Sequence, residues 1–231
     1  MKNMGLTSFL LSLCFVLPNI SMTSPKDFMS KDLNGWVKST TIKRYSIYMQ
    51  SGEIKKNELI GKTISKYSTN GNITEELHYK SDWNLENKII YFYNENGVGI
   101  LENLYSSDGY LSYKQSYNYD DKGNKIEIDI YDSKEKFCSK TINKYDELSN
   151  LIEINYYITK PTEDVFDIKM IMKYNEKGNL IQEISYDAKG TLLETWTWSY
   201  ETYDENKNWT KKIGYDNGEP MNICEREIEY Y

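Results

Sequence analysis

The stretch Tyr119-Asp120-Asp121-Lys122-Gly123-Asn124-Lys125-Ile126-Glu127-Ile128-Asp129-Ile130-Tyr131 holds one turn and one strand, and most of the chain repeats it. An Asx that bonds its own backbone, followed by a glycine with no Cβ, is the chemistry of a tight turn with a positive φ. Beyond the turn, Ile126, Ile128 and Ile130 alternate with Lys125, Glu127 and Asp129, the period-2 pattern of a strand with one buried face. Tyr119 and Tyr131 lie twelve residues apart, as do Tyr67 and Tyr79, Tyr93 and Tyr105, Tyr145 and Tyr157, Tyr174 and Tyr186, and Tyr203 and Tyr215.

A longer period sits above the short one. Tyr67, Tyr93, Tyr119 and Tyr145 are 26 apart, so the repeating unit is a hairpin of two strands, each about eight residues and roughly 26 Å long. The expected fold is all-β: an antiparallel β-meander of about six such hairpins in a single curled or partly closed sheet. Residues 24–66 supply atypical capping strands and 67–231 the array, one continuous domain. Ile223 to Tyr231 closes the chain as an edge strand whose charges discourage further pairing. The rhythm slips once, at Thr159 to Asp164, where Pro161 marks a longer loop and a candidate functional edge.

Composition agrees with strands. The chain has 22 Tyr and little that reads as helix, so its core is built from Tyr, Ile and Trp on pleated surfaces. Net charge is −7 with no block of Lys or Arg, which argues against nucleic acid and against an anionic membrane surface as partners. Residues 1–23 have the charged, apolar and small-residue parts of a secretory signal peptide, with the mature chain starting between about Met22 and Lys26. The expected location is outside the cytoplasm: periplasmic, cell-surface or secreted. Cys14 faintly resembles a lipoprotein cysteine, but Leu13 precedes it and the apolar run continues, so plain cleavage is the reading. No later stretch is apolar enough for a transmembrane helix. Cys138 and Cys224 then remain, read as two half-buried thiols; a disulfide between them would require the sheet to curl back on itself.

Units such as Tyr119-Asp120-Asp121-Lys122-Gly123-Asn124-Lys125-Ile126, Tyr174-Asn175-Glu176-Lys177-Gly178-Asn179-Leu180-Ile181 and Tyr186-Asp187-Ala188-Lys189-Gly190-Thr191-Leu192-Leu193 resemble the YD, or RHS, repeat of bacterial exported and cell-surface proteins. The resemblance covers roughly residues 67 to 218. It implies an antiparallel sheet of successive hairpins of the kind that forms shells around toxins, adhesive or sugar-associated surfaces, or short secreted proteins. Glu135 and Lys207 stand where that motif usually has Gly, and no toxin domain follows the repeats. A looser resemblance is to MORN-type repeats.

Chemistry is sparse. His78 is the only histidine and reads as a surface strand residue with no nucleophile motif beside it. Cys138, Cys224 and His78 lack zinc-ligand spacing, and the Asp and Asn around Gly123 are explained by the turn without a calcium ion. No cofactor is implied, and no two of the acids stand out as a hydrolytic pair. The one distinctive group is aromatic: Trp196, Trp198 and Tyr200 share one face of a strand, and a turn near Asn206-Lys207-Asn208 returns Trp209 towards Tyr203. These five residues are the candidate ligand-binding site, set against the plainer role of filling a core. The expected function is a non-catalytic binding or structural module of the bacterial envelope, with carbohydrate or another envelope protein as partner. The alternative is a glycan-acting enzyme on the same scaffold.

Overall fold

In a computed structural model, which describes residues 33–159 and 164–231, the hairpins are all present. The strands are β1 (Val37–Gln50), β2 (Glu53–Tyr67), β3 (Ile73–Lys80), β4 (Leu85–Tyr93), β5 (Gly99–Ser106), β6 (Leu111–Tyr119) and β7 (Lys125–Asp132). They continue as β8 (Phe137–Tyr145), β9 (Leu151–Thr159), β10 (Asp164–Tyr174), β11 (Leu180–Asp187), β12 (Leu192–Tyr203), β13 (Trp209–Asp216) and β14 (Glu219–Tyr230). Each pairs antiparallel with its neighbours in sequence, so β3 to β14 form the six expected hairpins and β1–β2 a longer seventh.

The sheet closes completely. β1 pairs with β14 from Val37↔Tyr230 to Ser46↔Asn222, giving a closed 14-stranded up-and-down barrel instead of a curled or partly closed sheet. The expectation of an edge strand at the C-terminus is corrected with it. Glu225, Glu227 and Glu229 do not fend off a partner; they meet Lys56, Lys43 and Lys38 across the seam at 2.8, 2.6 and 2.6 Å.

The turns follow the glycine and Asx chemistry. In the β6–β7 turn the Asp120 carboxylate accepts the backbone N–H of Lys122 (2.9 Å) and of Asn124 (2.8 Å), and the Asn124 side-chain amide (2.9 Å). Gly123 sits at φ 83°. Glu135 and Lys207 hold the same left-handed position at φ 63° and 66°, so the motif's geometry survives where its glycine does not.

One detail of the alternation is reversed. Ladder register shifts by one between Asn118 and Tyr119, a bulge as each strand leaves the turn. The phase therefore changes after the first residue: Lys125 points inward and is wholly buried, Ile126 points outward at 38% exposure, and Ile128 and Ile130 return to the core. The same shift exposes Ile100 and Ile152 while Leu104 and Ile154 are buried. A single extra residue moves a side chain to the other face, which is why strict alternation from the turn misplaces the first isoleucine.

Buried apolar clusters centre on Ile89, Tyr91 and Leu104, on Ile128, Ile130 and Tyr156, and on Leu151, Ile154, Met170 and Met172. Together they run from β1, with Val37, and β2, with Tyr67, round to β10. Residues 1–32 and 160–163, and with them Cys14, the leader and most of the Thr159–Asp164 connection, lie outside the described residues. Cys138 and Cys224 are free thiols on β8 and β14.

Candidate functional site

The sector closed by β11 to β14 is different in kind. The register Glu183↔Trp196 and Ser185↔Glu194, continued by Trp198↔Gly214 and Tyr200↔Lys212, places Glu183, Glu194, Trp196, Trp198, Tyr200 and Lys212 on one side of three adjacent strands. Buried Ser185 and Gly214 share that side, so it is the lumen. Yet Trp196, Trp198, Tyr200, Glu183, Glu194 and Lys212 are only half-buried. Inward-facing side chains that keep solvent access line an open part of the interior.

The aromatic strip is ordered by its own contacts. Trp196 and Trp198 stack with centroids 6.4 Å apart at 21°, and Tyr200 meets Trp209 edge-on at 6.0 Å. Gly214, opposite Trp198, has no side chain to compete for the space the indole covers; a Cβ there would already lie 3.0 Å from the Asn222 amide. Lys212 Nζ lies 5.5, 5.8 and 4.7 Å from the ring centroids of Trp198, Tyr200 and Trp209. On the far side of Trp209 the Arg226 guanidinium sits 3.9 Å from the ring centroid and donates to the Trp209 carbonyl at 2.8 Å.

Of the five candidate residues, four form this lumenal group. Trp209 is buried at 3% exposure and acts as its wedge. Tyr203 stands apart at the β12–β13 turn, under Lys177 (4.5 Å) and accepting from the Asn179 amide at 3.4 Å. The strip is thus inside the barrel, not on an outer sheet surface, because closure turns that face inward.

Two carboxylates accompany the rings, and the sequence did not single them out. Glu194 accepts the Trp196 indole N–H at 3.2 Å. Burial, reinforced by the charge of Glu194, pushes the Glu183 carboxyl up to about 7. Glu194 alone had a linear signal, the phase it shares with Trp196, Trp198 and Tyr200 at a spacing of two; Glu183 reaches the group through its register with Trp196.

The opposite wall is polar but filled. Glu76 accepts from Ser65 (2.8 Å) and Tyr91 (2.7 Å) and is 1% exposed. Tyr117 donates to Glu102 and lies beneath Lys125, whose Nζ is 2.9 Å from the ring centroid. Burial raises Glu102 to about 7, against the opposing pull of Lys125 and the Tyr117 hydroxyl. His78 is also in this wall rather than on the outer surface: its Nδ1 is 3.2 Å from Thr63 Oγ1, and burial lowers its pKa. Closure moves the residue from surface to lumen.

No family model matches the sequence, and no curated protein matches it. Solved structures similar in fold include a porin-like protein from Bacteroides uniformis, 11% identical, with 85% of this chain covering 98% of that one at a TM-score of 0.48. A putative outer membrane lipoprotein-sorting protein domain from Vibrio parahaemolyticus is 12% identical over 88% of this chain and 90% of that one, TM-score 0.39. A LolA superfamily protein from Nitrosomonas europaea is 10% identical over 90% and 94%, TM-score 0.34. Likenesses this distant bring no function to the chain. The fold itself corrects the family reading: no family model matches and the strands close into one 14-stranded barrel, so the YD or RHS assignment does not stand.

Proposed function

We propose that this protein is an exported, non-catalytic binding protein of the bacterial envelope that holds its ligand inside the barrel, against the strip of Trp196, Trp198, Tyr200 and Trp209. The observation that carries this reading is the partial exposure of the inward Trp196, Trp198 and Tyr200 rings, backed by buried Trp209 and next to a sector where other inward residues are packed shut. Flat indole faces flanked by carboxylates and a lysine suit a carbohydrate, whose apolar ring faces stack while its hydroxyls find donors and acceptors. Export rests on the pattern of residues 1–23. Titrating oligosaccharides against intrinsic tryptophan fluorescence tests the reading, and a glycan array identifies the sugar. The wild type is expected to respond saturably and Trp198→Ala to lose at least tenfold in affinity; an unresponsive wild type sinks the sugar assignment.

A second reading has one observation behind it. Glu183 and Glu194 occupy diagonal positions on paired strands beside Trp196, and one of them titrates near 7 while the other accepts a hydrogen bond, the division of labour a glycosidase needs. Release of reducing ends from a bound oligosaccharide, abolished in Glu183→Gln, would favour that enzyme over a carrier.

A further inference from the structure

The 26-residue period carries a lysine as well as a tyrosine, and the barrel gathers both at one rim. Lys62, Lys88, Lys114 and Lys140 are 26 apart, and Lys169 follows after the one 29-residue step. Each lies directly opposite a tyrosine, and each tyrosine opposite a second apolar residue. The rows are Lys62↔Tyr79↔Leu85, Lys88↔Tyr105↔Leu111, Lys114↔Tyr131↔Phe137, Lys140↔Tyr157↔Phe166 and Lys169↔Tyr186↔Leu192. These positions alternate with inward neighbours such as His78, Leu104 and Ile130, so the rows face outward.

The result is a belt of ring and aliphatic surface around the outside of the barrel, one residue from the turns that end β3, β5, β7 and β11. Its members touch: Tyr131 meets Phe137, and Tyr157 meets Phe166, each with centroids 5.6 Å apart. Lys62 Nζ hangs between Tyr79 and Trp83, 4.0 and 4.5 Å from their centroids. Below the belt, two turn tips present exposed rings, Trp83 at 55% exposure and Tyr110 at 75%.

Amphipathic rings and lysine stems at one level, with exposed aromatics just beyond, form a surface suited to a lipid headgroup layer. The net charge of −7 argues against an anionic surface for the molecule as a whole, but the charge is unevenly placed and this rim departs from that expectation. The turns at the other rim, from Ser68–Asn72 to Asp204–Asn208, carry eight acids against three lysines, whereas the belt brings five lysines together. Part of that charge is matched in the free protein: Lys88 by Glu75 (3.1 Å), Lys114 by Glu135 (2.6 Å) and Lys169 by Glu153 (2.8 Å). The Lys114–Glu135 pair has an exposed carboxylate and contributes little, whereas Glu75 and Glu153 are largely buried and hold Lys88 and Lys169 more firmly, so Lys62, Lys114 and Lys140 are the lysines offered to phosphate. The barrel does not span the bilayer, because a spanning barrel presents an apolar outer band, and here Lys66, Glu75 and Lys88, and Lys144, Glu153 and Lys169, form charged rows across the outer face.

We propose that the β3–β12 turn rim rests on an anionic lipid surface, with Trp83 and Tyr110 in the headgroup region and the lysine-tyrosine belt against the phosphates. The test is co-sedimentation of the folded protein with phosphatidylcholine vesicles and with vesicles containing about 30% phosphatidylglycerol, at low and high salt. Expected are binding to the anionic vesicles only, suppression by salt, and a loss on the order of tenfold or more in Lys62→Gln/Lys114→Gln/Lys140→Gln. Trp83→Asn/Tyr110→Ser changes only exposed turn positions and is expected to weaken binding equally well, so the test survives if the lysine variant misfolds. Failure to bind either vesicle, or equal binding to both, overturns the proposal. So does self-association that the belt variants abolish without any vesicle binding, which would make the belt a contact between copies of the chain. None of these outcomes depends on a lumenal ligand.

Discussion

Glu102 shows how one side chain can set a pH dependence for the whole fold. It is 2% exposed, and burial raises its pKa from 4.5 to about 7. A carboxyl that holds its proton more tightly folded than unfolded makes stability fall as pH rises, here between about 4.5 and about 7, with no further loss above. The shift corresponds to a penalty of roughly 3 kcal/mol at pH 8. Urea denaturation at pH 5 and pH 8 is therefore expected to show the wild type weaker at the higher pH, and Glu102→Gln to remove about half of that difference, Glu183 carrying a similar share; an unchanged slope in the variant would refute the assignment. At the turns, Lys207 is exposed at φ 66°, a conformation that costs an L-residue what it does not cost glycine. Lys207→Gly is expected to gain about 0.5–1 kcal/mol in thermal unfolding, and Gly123→Ala to lose about as much.

At the scale of the strand, the tyrosine period divides into two physical roles that the linear sequence cannot separate. Tyr93, Tyr119, Tyr145, Tyr174 and Tyr200 donate their hydroxyls to the carbonyls of Ile73, Gly99, Lys125, Leu151 and Leu180, at 2.6 to 2.8 Å. Each clasp ties an even strand, near its end, to the start of the strand just before it, so it stiffens the rim next to the Asx turns. The alternate set, Tyr79 to Tyr186, lies on the outer face opposite the lysines. Tyr119→Phe is expected to cost about 1 kcal/mol, the net worth of a partly buried hydrogen bond, while Tyr131→Phe stays within about 0.5 kcal/mol; equal effects would mean the clasps are incidental. Strand positions, turn chemistry and hairpin period were legible because each depends on near neighbours in sequence. The phase after each turn was not, since the bulge that buries Lys125 and exposes Ile126 adds one residue without leaving a distinct sequence mark. The aromatic strip was visible by its spacing; Glu183 and Lys212 join it only through register with β12.

Closure belongs to the whole molecule and depends on contacts between residues almost two hundred positions apart, which no local pattern encodes. The three seam ion pairs are exposed and together contribute little. Asn208 is a stronger fastener: it is 1% exposed, its amide donates to the Asn34 carbonyl at 2.9 Å and to the Tyr230 hydroxyl at 2.7 Å, and its oxygen accepts the Asn34 N–H at 2.6 Å. Tyr230 in turn donates to Asp204 at 2.5 Å, and Tyr231 donates to the Tyr67 carbonyl at 2.7 Å, repeating the rim clasp across the seam. Removing Asn208 leaves buried donors and acceptors unmet, so Asn208→Ala is expected to cost on the order of 2–3 kcal/mol. The loss should also be local in its first effect: backbone amides of β1 and β14 would exchange with deuterium faster, while those of β5 to β8 keep their protection. Neutralising the three glutamates of the seam should do far less than this single change. If Asn208→Ala leaves β1 and β14 as protected as before, the seam is held by the strand ladder alone, and the polar fastener is an effect of closure, not one of its causes.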